Sequence, residues 1–116
     1  MATWDDVREL ALAHVGVEEV VSRGSAAWRT KNRQLAWERP LRRADIVELG
    51  DAAPQGPVVA FLVLDEGVKL GLAQTEPDVF FTTSHFDGHR IVLARLDALD
   101  RDRLAELIED AWEIAS

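Results

Sequence analysis

An α+β domain is what this sequence predicts, with helices on one face of an antiparallel five-stranded sheet. Three observations predict it. Asp87-Gly88 separates two runs rich in aromatic and β-branched residues, Val79–Thr83 and Arg90–Leu96, and Asp-Gly in that setting is the strongest short-range hairpin signal. Val58–Leu64 is an unbroken apolar run of strand length, as expected of a central strand buried on both faces. Amphipathic helical stripes open and close the chain. The expected order is α-β-β-β-α-β-β-α, two layers formed by one domain over residues 1–116.

Each element has its own signal. Thr3 with Asp6 three residues on reads as a capping box, and Trp4, Val7, Leu10, Ala11 and His14 recur at helical spacing, so a first helix is expected from Trp4 to Ala13. Gly16 follows, where a left-handed residue fits. Ala26–Lys31 and Gln34–Glu38 are expected to form a hairpin around Asn32-Arg33. In that register Trp28 faces Trp37, and the opposite face carries Arg29, Lys31, Gln34 and Glu38. Ala44–Leu49 fits a short helix ended by Gly50. The Pro- and Gly-containing stretch from Asp51 to Pro57 is a loop.

Asp65 caps a helix from about Glu66 to Gln74, stopped by Pro77. A two-residue loop at Asp87-Gly88 would pair Phe86 with His89 and Phe80 with Arg95. One face of that hairpin would then carry Phe80, Phe86, Ile91 and Leu93, and the other Phe81, Val92 and Ala94. Asp100 caps the last helix, whose apolar stripe is Leu104, Leu107, Ile108, Ala111, Trp112 and Ala115. Its outer face carries Asp102, Glu106, Glu109, Asp110 and Glu113.

Composition narrows the function. There is no cysteine, which removes disulfide and thiol chemistry and fits a cytoplasmic address. Asp5, Asp6 and Glu9 stand where a secretory leader would be apolar. The longest apolar run is too short to span a bilayer, so no membrane partner is expected. The net charge is −8. Its distribution is uneven: Arg23 to Arg43 holds seven basic residues against the single acid Glu38, a surplus of six, which leaves −14 on the remainder. Such asymmetry bears on partners more than on fold.

No catalytic set assembles from the sequence. Ser25 lacks the flanking glycines of a nucleophile elbow, there is no phosphate loop or dinucleotide fingerprint, and the acid pairs Glu18-Glu19 and Asp65-Glu66 lie at a turn and a cap. A non-enzymatic protein without cofactor is expected. His85, Asp87 and His89 offer metal-ligand atoms, but the two-residue loop sends the imidazoles to opposite faces; only a three-residue loop pairing His85 with His89 would join them. No metal is expected there, and His85 and Asp87 are read as hydrogen-bonding within the turn.

Several segments taken together resemble the MmcQ/YjbR family. They are Trp28-Arg29-Thr30-Lys31, Leu35 to Asp45, Phe80-Phe81-Thr82-Thr83-Ser84-His85-Phe86-Asp87-Gly88, Val92 to Leu96, and Asp110-Ala111-Trp112. The resemblance covers almost the whole chain, and its most specific part is the Phe80–Gly88 segment. It implies a two-layer α+β fold of the frataxin-like (CyaY-like) or secretion-chaperone-like kind, and DNA binding. The candidate nucleic-acid contacts are Arg29, Lys31, Arg33, Arg39, Arg42 and Arg43, as a basic ribbon that tracks phosphates above anchoring tryptophans. The alternative is a protein- or ligand-binding module that uses a sheet face. A monomer or weak homodimer is expected.

Overall fold

A computed structural model describes Met1 to Ser116. The elements run α1 (Trp4–Leu12), β1 (Glu18–Ser22), β2 (Ser25–Arg29), β3 (Gln34–Glu38), α2 (Arg43–Leu49), β4 (Val58–Leu62), α3 (Glu66–Thr75), β5 (Phe80–Phe81), β6 (Ile91–Arg95) and α4 (Arg101–Ala115). The strands form one antiparallel sheet of six, in the order β1-β2-β3-β4-β6-β5. The α+β class therefore holds, with six strands rather than five and four helices rather than three. No helix is long and apolar enough to cross a membrane.

The caps read from the sequence are present. Thr3 and Asp6 exchange both capping-box bonds. Asp65 and Asp100 accept the backbone N–H groups of Val68 and Arg103, satisfying donors that a helix start leaves without partners. The uninterrupted Val58–Leu62 run is central as expected, flanked by β3 and β6 with every residue buried.

The additional strand is β1. It joins β2 through Arg23-Gly24, which have φ of 54° and 80° while Ser22 pairs with Ser25. Two successive positive φ values make this a type I′ turn, whose twist matches that of paired strands. Asp87-Gly88 has a different geometry. Asp87 lies at φ −57° and ψ 131°, Gly88 at φ 79°, and the His89 N–H donates to the Phe86 carbonyl at 3.0 Å. That is a type II turn, which splays flanking strands instead of closing them. Pairing accordingly begins only at Phe81 with Leu93, and Phe80 lies opposite Ala94 rather than Arg95. The two-residue hairpin register is thus corrected by one place.

The tryptophan register is corrected too. Ala27 pairs with Trp37 and Trp28 with Ala36, and a bulge between Trp28 and Arg29 shifts the ladder beyond them. Trp28 and Trp37 therefore point to opposite faces of the sheet. Trp28 is 1% exposed, stacks on Trp4 with 6.3 Å between ring centroids, and joins the core with Val59, Phe61, Phe80, Val92 and Ala94. The helices α1 and α4 pack on each other and cover this face. Trp37 is half-buried on the second face, with Ala60, Leu93 and Phe81. There Leu41, Leu49 of α2 and Phe86 lie over the sheet, so helical cover is not confined to one side.

Candidate binding surfaces

The six cations proposed for nucleic acid do not share one exposed face. Arg29, Lys31 and Arg33 lie at the β2–β3 turn, where the Thr30 N–H donates to the Arg33 carbonyl. Arg39, Arg42 and Arg43 lie beyond the other end of β3 and at the start of α2. The strands run antiparallel, so the two groups are separated by a strand of about 17 Å. Five of the six have no carboxylate within ion-pair distance. Arg39 is the exception. It is 6% exposed, 3.1 Å from the Asp45 carboxylate and stacked over Phe86 at 5.2 Å, while its other amino group donates to the Pro40 carbonyl. Asp45 also accepts the Arg42 N–H. Arg39 is a buried organiser of α2 and not a surface contact. A single basic face beneath which both tryptophans sit is therefore not what the chain folds into.

The Phe80–Gly88 segment is a structural junction. Phe80, Phe81 and Phe86 are buried in the two cores. His85, Asp87 and His89 are exposed. No set of three or more metal-ligating side chains gathers anywhere in the chain. His85 stands edge-on to the Phe86 ring at 4.7 Å. The expected side-chain bonding of His85 and Asp87 within the turn is replaced by two reaching side chains. Lys69 of α3, 1% exposed, donates from Nζ to the carbonyls of Phe86 at 2.6 Å and His89 at 3.1 Å. Glu48 of α2 accepts from the Ser84 N–H and hydroxyl. His14, placed at the core rim by the sequence, is half-buried and stacks on Trp112 at 4.9 Å.

Displaced titration marks structural contacts. The Glu19 carboxyl is held below its ordinary range chiefly by the Arg8 hydrogen bond, helped by the Trp28 indole N–H and opposed by partial burial. Arg8 is raised by the same bond to Glu19. Asp6 is lowered first by the Thr3 backbone N–H, and Arg101 adds to this. A cap and a surface ion cluster account for all three.

A concavity of about 670 Å³ lies between α3 and α4 where β4 ends. Leu62 and Val63 floor it, Val68 and Leu72 line it from α3, and Leu107 and Ile114 from α4. Leu64 and Val68 at its mouth are 59% and 40% exposed. Its two arginines are engaged internally: Arg90 donates to the Leu64 carbonyl, and Arg103 pairs with Glu76 at 2.7 Å while lying over the Phe80 ring. Its two acids, Asp110 and Glu113, are exposed and have no cationic partner within ion-pair distance. No sequence signal marks this site, because its walls come from α3 and α4, separate segments that only the fold brings together.

No family model matches. The chain superposes on a crystal structure of Deinococcus radiodurans protein DR2400, described by its DUF419 domain, with a TM-score of 0.72 over 98% of this chain and 78% of that one, at 17% identity. That likeness is one of fold. The uncharacterized proteins Rv2570 of Mycobacterium tuberculosis and Mb2600 of Mycobacterium bovis are each 44% identical to it over 115 residues, 97% of this chain and 87% of theirs. With identity at that level along almost its whole length, the chain belongs to the family of these mycobacterial proteins.

Proposed function

We propose that this chain is a non-enzymatic binding module of the MmcQ/YjbR type whose receptor site is the groove between α3 and α4. One observation carries the reading: a concavity of about 670 Å³ with an apolar floor and a few polar groups at its rim. That size and lining are those of sites that take ligands or peptide segments. The Phe80–Gly88 segment and the α+β fold support the family assignment.

The test is titration with the neutral apolar dye Nile red, followed by amide NMR. Shifts confined to Leu62–Leu72 and Arg103–Ile114, weakened about tenfold by Val68→Asp, are the expected result. Shifts elsewhere, or saturation unchanged in the variant, would remove the groove from the proposal.

Duplex DNA is a second reading. Its support is the β2–β3 turn, where Lys31 and Arg33 stand exposed without carboxylate partners and Arg29 lies at their base. Charge reversal at Arg29 and Lys31 is expected to abolish a mobility shift of duplex DNA. A shift absent even at low salt, where phosphate contacts are strongest, defeats this reading.

A further inference from the structure

We infer that the occupant of the α3–α4 groove is a basic amphipathic helix supplied by a partner protein. This rests on the groove being the receptor site.

The helix α4 packs on α1, β3 and β4, while α3 packs beside β5. Between them the end of β4 closes the groove from below, Leu62 and Val63 being themselves buried, so the apolar surface open to an occupant is that of Leu64 and Val68 with the half-buried Leu72 and Ile114. On α4, Leu107, Asp110 and Ile114 are spaced at i, i+3 and i+7, so they share one side over two helical turns. A helix laid alongside presents its own apolar residues at the same spacing, the mode by which amphipathic segments fill hydrophobic grooves. The exposed side chains of Leu64 and Val68 lie at the mouth to be covered.

Charge then selects the kind of helix. Both rim arginines are spent on Leu64 and Glu76, whereas Asp110 and Glu113 have no cation. Glu109 extends the acidic face of α4, while Glu106 lies 3.8 Å from Arg103. The chain outside Arg23–Arg43 carries the whole negative surplus, so approach of a cationic segment is accelerated and an acidic one repelled. A fatty acid or a nucleic acid would bring negative charge to these carboxylates. A second copy has one candidate segment, the seven-residue α2 with Arg42 and Arg43, and Leu49 already packs that helix into its own core.

The probe is a fluorescein-labelled Leu/Lys peptide of about four helical turns, read by polarisation on the full chain. A Leu/Glu peptide and a Leu/Lys peptide scrambled out of helical phase serve as controls. Saturable binding of the phased Leu/Lys peptide alone is expected, weakened about tenfold by Asp110→Lys with Glu113→Lys and by Val68→Asp, and reduced by salt. Equal binding of the scrambled or the acidic peptide overturns the inference. So does binding that the double variant leaves unchanged. If either result appears while Nile red still maps to the groove, the receptor site stands and only its occupant is wrong. If Nile red does not map there, the groove itself falls. Self-association abolished by the double variant would name a second copy as the occupant and equally defeat the partner helix.

Discussion

Arg39 illustrates how a residue's surroundings overrule its type. In the sequence it is one of seven cations in a basic stretch; in the fold it is a buried guanidinium held by Asp45 and the Phe86 ring. Removing one member of a buried pair leaves the other charge uncompensated. Arg39→Ala is therefore expected to cost about 3–5 kcal/mol in urea unfolding, more than any exposed arginine of that stretch. Glu19 gives a pH dependence. Its carboxyl titrates below its ordinary value of 4.5 in the folded chain, so the unfolded chain binds the proton more readily. Stability from this group is complete above that value and fades as pH falls through the lower folded one. Urea midpoints between pH 6 and about 3 are expected to decline less steeply in Glu19→Gln. An unchanged slope would show that Arg8 and Trp28 do not hold the carboxylate in solution. Neither contact was visible in the sequence, because the Trp28 bond depends on the β1–β2 register and the Arg8 bond on how α1 lies against β1.

At the scale of elements, local signals were legible and their registers were not. Thr3, Asp65 and Asp100 announce three helix starts, and each side chain makes the cap its type suggests. The stripe of α4 and the apolar run of β4 depend on burial alone and were equally plain. Turns were harder. Arg23-Gly24 adopts the I′ geometry with an arginine at φ 54°, a place where an ordinary L-residue pays roughly 1–2 kcal/mol. Nothing in Arg-Gly advertises it, and Glu-Glu-Val-Val-Ser before it lacks alternation, so β1 went unread. Arg23→Asn is expected to raise the urea midpoint by a fraction of that strain, while Gly24→Val lowers it. The bulge after Trp28 had no signal either, and it decides the worth of each indole. Trp28→Ala is expected to cost about 3–5 kcal/mol, and Trp37→Ala clearly less, since that ring keeps part of its surface in water.

Over the whole molecule, the sheet converts linear charge segregation into separated surfaces. The cations of the early strands end at opposite tips of a ribbon, and the acids of α4 border the apolar groove. Fold class followed from composition and periodicity because those average over many residues. The groove did not, since it depends on where α3 rests relative to α4, and that is fixed by contacts between distant segments. The charge separation predicts that a duplex and a cationic peptide compete little for this chain. Val68→Asp, which alters the groove alone, is expected to leave any DNA mobility shift in place, and loss of that shift would place both ligands on one surface.

The contact between Lys69 and the carbonyls of Phe86 and His89 has a mechanical consequence. Beside its packing on β5 and the core, the α3 wall of the groove is tied by this one buried ammonium to the 86–89 loop. Slackening the tether, as Lys69→Met would, takes the ammonium from the His89 carbonyl and leaves that of Phe86 with the His89 N–H alone, at a cost of about 1–3 kcal/mol, and loosens the wall. Amide exchange should then quicken along α3 and the 86–89 loop together, as in a door that has lost its hinge pin.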